Sequence, residues 1–453
     1  MKYLSIFILI LILLNSCEKE ETIEDITTEN IDSLVLSEDI TVYDSLNFYE
    51  GYTLVAPMGS KNTYLINMEG FVVNYWESEY YPGNAVNLLD EGRLLRTQQK
   101  SNQTFSGPGG GGGGVEIRSF GNELEWDFTF SSDEYCQHHD AIILPNGNIM
   151  LIAWELKSKE EAIAAGRDTN YLTDDGIWAE MLVEIEPSGI NGGEIVWEWH
   201  VWDHLIQDFD ESKNNYGDVA SHPELIDINY YQVEDADIFH ANAVEYIEEF
   251  DELIISPRSY SEIWVIDHST TIEESKLHSG GDRNKGGDLL YRWGNPAVYN
   301  CGDSNDQILY GQHNPTWIAG LPGNGGNVLL FNNGDRNSRA YSSADEFELP
   351  HDGNGNFTLI ANQINGPEIV DWTYTNSDLY SPSISGAQRL ENGNTLICEG
   401  EDGIFYEVTN DKEIVWQFNN PMEKTNIFRV HRYGLDDPIF ENRVLDVMDI
   451  EIR

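Results

Sequence analysis

Between residues 71 and 416 one hydrophobic pattern recurs. A Gly or Asp turn is followed by a short apolar run that ends in tryptophan. The copies are Phe71-Val72-Val73-Asn74-Tyr75-Trp76, Glu123-Leu124-Glu125-Trp126, Glu194-Ile195-Val196-Trp197, Leu289-Leu290-Tyr291-Arg292-Trp293, Ile369-Val370-Asp371-Trp372 and Glu413-Ile414-Val415-Trp416. β-Branched and aromatic residues in runs this short suit a half-buried pleat and predict strands. Several copies follow a companion strand, as at 182–185, 263–267 and 405–408, so each pair reads as a hairpin.

A second element is interleaved with the first. It is seen at Asn84 to Leu95, His139 to Met150, His240 to Tyr246, His313 to Ile318 and Ser385 to Leu396, and several copies carry Asn-Gly turns. Such turns between apolar strands signal hairpins. Two hairpins make a four-stranded unit, and six tryptophan copies make six units. An all-β fold follows: a six-bladed β-propeller of four-stranded blades. Successive tryptophans lie 44 to 96 residues apart, so the longer gaps hold long loop insertions, at 155–180 and 201–236. These are expected over one mouth of the propeller, with one short helix in Lys157 to Gly166. A pair of β-sandwiches would not produce one motif order over the whole chain.

The N-terminus reads as an address. Lys2 precedes an apolar run, Tyr3 to Leu14, then Leu14-Asn15-Ser16-Cys17. A bilayer span needs roughly 20 apolar residues, so the run is a signal segment. Its end resembles a bacterial lipobox with Cys17 as lipid anchor; the alternative is an ordinary signal peptide with a chance cysteine. The expected organisation is a signal peptide at 1–17, an acidic tether at 18–45 and a propeller catalytic domain at 46–453. The protein would then be lipid-anchored to the outer membrane, on its periplasmic side or at the cell surface. Its 79 acidic residues against 25 basic ones give a formal net charge of −54. A field of that sign excludes nucleic acid and anionic lipid as partners and leaves the lipid as the only membrane contact. An anionic substrate would need a local exception. Oligomeric state is not legible in the chain. Beyond Cys17, the cysteines at 136, 301 and 398 form no C-x-x-C pair.

The eleven histidines are unevenly placed. His139, His240 and His313 hold the same phase of the second element in three successive blades. In a propeller the innermost strand lines the axial channel, so all three converge on one channel end. Arg258 follows the strand that pairs with the one starting at His240, and its planar fork suits a tetrahedral oxyanion. Asp140, Asn242 and Asn314 follow the three histidines closely, as ring-orienting or ligand-contacting groups. His200, His204, His222, His268, His278 and His351 fall in turns or insertions and are expected in solvent, while His431 is open. Three histidines also suit zinc or copper, but an arginine in the same shell repels a cation, so no metal and no cofactor is expected. The turns at 303–306 and 352–356 lack full calcium-ligand spacing. The run Gly109 to Gly114 has no Gly-Lys-Ser/Thr after it, so it forms a mouth loop and not a phosphate cradle.

His138-His139-Asp140 with Leu144-Pro-Asn-Gly-Asn, Phe239-His240-Ala-Asn242, Ser256-Pro-Arg258, Gln312-His313-Asn314 and Leu329-Leu-Phe-Asn-Asn333-Gly together resemble the bacterial arylsulfate sulfotransferases. The closing Ile427-Phe-Arg-Val-His-Arg432-Tyr fits the same family, over roughly residues 50–440. The resemblance implies a transferase that moves a sulfuryl group from an aryl sulfate donor to a phenolic acceptor without a nucleotide sulfate. It makes His313 the nucleophile in a ping-pong sequence through a sulfohistidine. By the same resemblance His139, His240 and Arg258 stabilise the moving group, His240 protonates the leaving oxygen, and Asn242 and His138 bind substrate. The competing expectation is a non-catalytic propeller lipoprotein that binds a sulfated or aromatic ligand.

Overall fold

The structure is a computed structural model that describes residues 35–453 apart from 108, 321–325, 423–425, 442 and 444. The signal segment, Cys17 and most of the expected tether lie outside the described residues.

Among the described residues the chain forms six antiparallel blades, five of four strands and one of four with a fifth added, in chain order around a central axis, and a short parallel pair in the second insertion. Blade 1 holds Gly51–Val55, Asn62–Ile66 and Val72–Glu77, and blade 2 Pro82–Leu88, Leu94–Gln99, Gly113–Arg118 and Leu124–Thr129. Blade 3 runs Tyr135–Ile143, Ile149–Lys157, Ile177–Ser188 and Gly192–His200, and blade 4 Ala241–Ile247, Glu252–Pro257, Ile263–Asp267 and Tyr291–Trp293. Blade 5 is His313–Ile318, Asn327–Asn332, Ser343–Glu348 and Trp372–Tyr374, and blade 6 Gly386–Arg389, Thr395–Glu399, Ile404–Val408 and Ile414–Asn419. The last strand, His431–Gly434, returns to pair with Gly51–Val55 and supplies the innermost strand of blade 1. Chain end and chain start thus share a sheet, which closes the ring of blades.

All six repeat tryptophans sit on the fourth strand of their blade, counted from the axis. Each indole N–H donates into the turn between the third and fourth strands of the next blade. Trp76 reaches the Ser119 carbonyl at 2.9 Å, Trp126 that of Gly192 at 2.9 Å and Trp197 the Thr270 hydroxyl at 3.1 Å. Trp293 reaches the Pro367 carbonyl at 2.8 Å, Trp372 that of Asn410 at 3.1 Å, and Trp416 closes the circle on Met68 at 2.9 Å. The sequence repeat is therefore a ring of blade-to-blade clamps. Between neighbouring blades lie apolar layers such as Leu95, Ile117, Leu151 and Val183, or Ile254, Val265, Leu330 and Phe347. Truncating one such side chain to Ala costs about 2–5 kcal/mol.

Two expectations change. Ile40–Tyr43, placed in the tether, pairs with Ile414–Asn419 as a fifth, outermost strand of blade 6. Its β-branched and aromatic residues cover an edge that acidic flanking residues had made look unstructured. The insertion at 155–180 is not a free loop either. Its flanks extend the central hairpin of blade 3 out to the pair Lys157 and Ile177, with helix Lys159–Ala164 at the tip behind a Ser158–Glu161 capping box. Arg167 donates to the carbonyls of Ile228 and Tyr231, which binds this insertion to the second one.

Candidate active site

The innermost strands are irregular where the site lies. Ladder pairing jumps from Ala141–Leu151 to Gln137–Ala153, so His138, His139 and Asp140 together face Ile152 alone. Similar slips fall between Ala241 and Val244 and between His313 and Thr316. A bulge releases residues from the ladder and re-aims their side chains. The backbone adopts positive φ there, at His139 (49°), His240 (53°) and Asn314 (52°). That conformation costs of order 1–3 kcal/mol for a non-glycine residue and clusters at functional sites.

The bulges bring three rings to the axis. His139 and His240 stand edge to face with centroids 4.8 Å apart, and Phe428 lies 6.0 Å from His139 and 6.2 Å from His313. The glycine run folds over them: a side chain at Gly110 would meet His139 Cε1 at 2.4 Å, and one at Gly109 would meet His240 Cε1 at 3.3 Å. Only glycine lets the strap come this close.

The Nδ1 atom of each ring is engaged. His313 Nδ1 lies 2.8 Å from Asn333 Oδ1 and 3.1 Å from the Gly311 carbonyl. Both are acceptors, because the Asn333 amide nitrogen donates to the carbonyls of Ser381 and Ile384 and so fixes which end is oxygen. His313 therefore carries its proton on Nδ1 and a lone pair on Nε2. Burial, helped by the nearby Arg258 charge, pushes its pKa down to about 3, so the ring is neutral. His240 is the opposite case. Burial opposes its charge, but Asp237 Oδ2, 2.5 Å from Nδ1, more than offsets this and raises its pKa, making it the imidazolium of the site. His139 Nδ1 points at His138 Nδ1, 2.8 Å away. Burial first, then the surrounding cationic groups, hold its pKa far below the usual histidine range. Among the described residues no protein group bonds the Nε2 of any of the three.

Arg258 follows the strand paired to blade 4's innermost strand, its backbone N–H donating to the His240 carbonyl at 3.1 Å. The guanidinium makes one protein hydrogen bond, to the Pro382 carbonyl at 3.2 Å, and pairs with no carboxylate among the described residues. Arg167, also without a carboxylate, spends its guanidinium on the carbonyls of Ile228, Tyr171, Tyr231 and Val233, which leaves Arg258 the freer of the two. Arg96, Arg292, Arg429 and Arg432, all buried, each hold a Glu or Asp.

Asn242 and His138 are placed differently from expectation. The Asn242 amide nitrogen is spent on the Gln312 carbonyl at 2.8 Å, which holds the backbone just before His313. His138 is fully buried, stacked on Trp154 at 3.8 Å, with one nitrogen toward His139 and the other 2.9 Å from Glu180. It reaches the channel only through His139. Asp140 orients no ring but forms a two-pronged pair with Arg429, at 2.6 and 2.8 Å. Among histidines expected in solvent, His204 is fully buried on Trp199 between Asp288 and the Ser275 carbonyl. His268 is mostly buried as well; against the cost of burial, Asp251 and Glu184 raise its pKa to about 9. The three cysteines are free thiols, two of them buried.

Asp237, Glu180 and Asn333 complete the arrangement without having been singled out from sequence. Asp237 lies three residues before His240, at the end of the second insertion, and Glu180 lies in the outer half of the blade 3 hairpin. Neither stands out in a chain with 79 acidic residues.

A family model described as Arylsulfotransferase (ASST) matches residues 35–432. No curated protein matches the chain. Solved structures similar to it include a protein of unknown function from Bacteroides caccae, at 11% identity, covering 84% of this chain and 98% of that one with a TM-score of 0.45. Apo AztD from Citrobacter koseri is 9% identical, covering 86% and 100%, with a TM-score of 0.36. A functionally unknown protein from Desulfotomaculum acetoxidans is 9% identical, covering 85% and 100%, with a TM-score of 0.38.

Proposed function

The chain belongs to the arylsulfotransferase family, and from that premise we propose that it transfers sulfuryl groups from aryl sulfates to phenols in two steps, through a sulfohistidine on His313. The observation that carries this reading is the His313 ring: neutral, protonated on Nδ1 against two fixed acceptors, with its Nε2 lone pair free beside a carboxylate-free Arg258.

In the first step the Nε2 pair forms a bond to sulfur as the sulfur–aryl oxygen bond breaks. The departing oxygen takes the proton of His240 Nε2, which leaves His240 neutral and releases a phenol. The sulfated His313 ring is cationic, and its Nδ1–H then donates more strongly to Asn333 and Gly311. Arg258 and His139 face the non-bridging oxygens, where charge is greatest in a loose, phosphoryl-like transfer. In the second step neutral His240 takes the proton of an acceptor phenol. The phenol oxygen bonds to sulfur, the nitrogen–sulfur bond breaks, and His313 returns to its resting state. The proton from the acceptor restores the His240 cation, which Asp237 holds in the resting site.

The test is intact mass after exposure to a chromogenic aryl sulfate without acceptor. A sulfuryl adduct is expected on the wild type and none on His313→Ala, with transfer to phenol lost in the variant. Transfer that survives His313→Ala would sink the nucleophile assignment. If no aryl sulfate gives either adduct or turnover, the propeller is a binding module.

A further inference from the structure

We propose that Glu180 and His138 are positioning residues that lock His139 with its proton on Nε2, through a chain of hydrogen bonds running from the Glu180 carboxylic acid to His138 and from His138 to His139. Three distances define the chain. Glu180 Oε1 accepts the Ala241 N–H at 2.7 Å, Oε2 lies 2.9 Å from His138 Nε2, and His138 Nδ1 lies 2.8 Å from His139 Nδ1.

With the rings neutral, only two proton arrangements satisfy these contacts. In one, Glu180 is an acid that donates to His138 Nε2, His138 donates from Nδ1 to His139 Nδ1, and His139 presents Nε2–H to the channel. In the other, Glu180 is a carboxylate, both donations reverse, and His139 presents a lone pair. The surroundings select the first. Glu180 is 2% exposed and His138 is 0% exposed, so an unpaired carboxylate beside a neutral ring there would be costly. The groups facing the chain are Asp237, His240, His313 and Arg258, with the Asp140–Arg429 pair beyond. Asp237 repels a charge on Glu180 and already holds His240 as its own partner. Burial, then Asp237, drives Glu180 well above the usual carboxylate range, while burial drops His138 to about 3. Both shifts favour the neutral pair. If the site handles sulfuryl groups as proposed above, the chemistry agrees, since an anionic oxygen needs a donor from His139 and is repelled by a lone pair.

Glu180→Gln separates the two arrangements. The Ala241 N–H must still be met by oxygen, so the amide NH₂ is turned toward His138, where it imitates the acid permanently. Ring ¹⁵N spectra of the full-length protein, with His139 assigned by its loss in His139→Gln, report the tautomer directly. The expected result is a protonated Nε2 and bare Nδ1 on His139, in wild type and in Glu180→Gln. The variant should also keep kcat/KM within about threefold across neutral pH, while Glu180→Leu, which cannot donate, loses at least tenfold. A proton on His139 Nδ1 in the wild type, or a large loss in Glu180→Gln with the fold intact, would overturn the proposal. The spectra do not depend on turnover, so absence of sulfuryl transfer would defeat the functional reading and leave this one to its own result.

Discussion

Replacing Asp237 by Asn should convert His240 from a strong acid into a weak one without moving it. Asp237 Oδ1 accepts the His240 backbone N–H at 3.1 Å and the Trp154 indole N–H at 3.2 Å. Both donors persist in Asp237→Asn, so the amide oxygen stays where Oδ1 was and the NH₂ faces His240 Nδ1. That nitrogen must then accept, and the ring becomes a neutral imidazole with its proton on Nε2. Geometry is kept and acidity is lost. General acid catalysis contributes roughly 10²–10⁴ in rate, so a 100-fold fall corresponds to about 2.7 kcal/mol of transition-state stabilisation. The loss must depend on the leaving group. Phenyl sulfate releases a phenol with a pKa of about 10, as in tyrosine, and needs the proton. A nitrophenyl sulfate releases a much stronger acid that leaves almost unaided. The expectation is roughly a 100-fold lower kcat with phenyl sulfate and less than about fivefold with the nitrophenyl donor. Equal losses for the two donors would refute the role of His240 as acid.

The pH dependence has a defined sign. His240 is raised above its unfolded value and Asp237 is lowered below its own. The stabilisation from the raised histidine is complete below its unfolded pKa and is lost as pH climbs through the folded one. That from the depressed aspartate is present above its unfolded pKa and is lost as pH falls through the folded one. The first chemical step of the wild type should therefore slow as pH rises through the His240 value, and Asp237→Asn should lack that limb.

Gly110→Ala places a methyl 2.4 Å from His139 Cε1 and 2.9 Å from Trp154, at φ +65°, so kcat/KM should fall at least tenfold. Gly147→Ala has φ +87° with nothing within 4 Å, so it carries the backbone strain alone, about 1–2 kcal/mol in a melt, and should leave kcat/KM unchanged. Trp416→Phe removes the clamp to Met68 from a fully buried ring that also packs on Arg432 at 4.3 Å. Urea unfolding should show a loss of about 1–3 kcal/mol, larger than for the partly exposed Trp372→Phe; the reverse order would mean the clamps do not hold the ring closed.

The fold was legible because its repeat has a physical job in every copy. Trp76, Trp126, Trp197, Trp293, Trp372 and Trp416 each meet the next blade, so the residue recurs with the contact. The phase of His139, His240 and His313 was legible for a related reason, since innermost strands share one axis. Orientation within a bulge was not. His138 and His139 are adjacent in sequence, yet one ring enters the blade and the other the channel, because residues freed from the ladder no longer alternate in a way the sequence displays. His204 lies in an acidic insertion and still became core, since Trp199, Asp288 and Ser275 close around it from three separate segments. The carboxylates that set the site's protonation, Asp237 and Glu180, were hidden by abundance. Only the fold distinguishes them from dozens of solvated neighbours.

The surplus of acid poses a question that the site answers locally. A net charge of −54 opposes an incoming sulfate ester, but beyond roughly 10 Å salt at 0.1 M screens exposed charges, while buried ones keep their full effect. What governs the reaction is the charge inside. Arg258 and His240 contribute two cations and Asp237 one anion, which leaves one positive charge for the monoanionic donor to cancel. In the proposed first step the phenol would depart neutral, His240 would become neutral, and a sulfated His313 ring would balance its own sulfonate, so the total is again zero. With donor bound, and again after the proposed first step, the site thus carries no net charge, where an uncompensated one would be expensive. The balance holds only if Glu180 carries its proton. As a carboxylate it would leave the donor-bound site one charge negative, the background the rest of the chain already supplies. The relay through His138 therefore does more than orient His139: it keeps the nearest spare acid of an acidic protein out of the electrostatics of the anion it must bind.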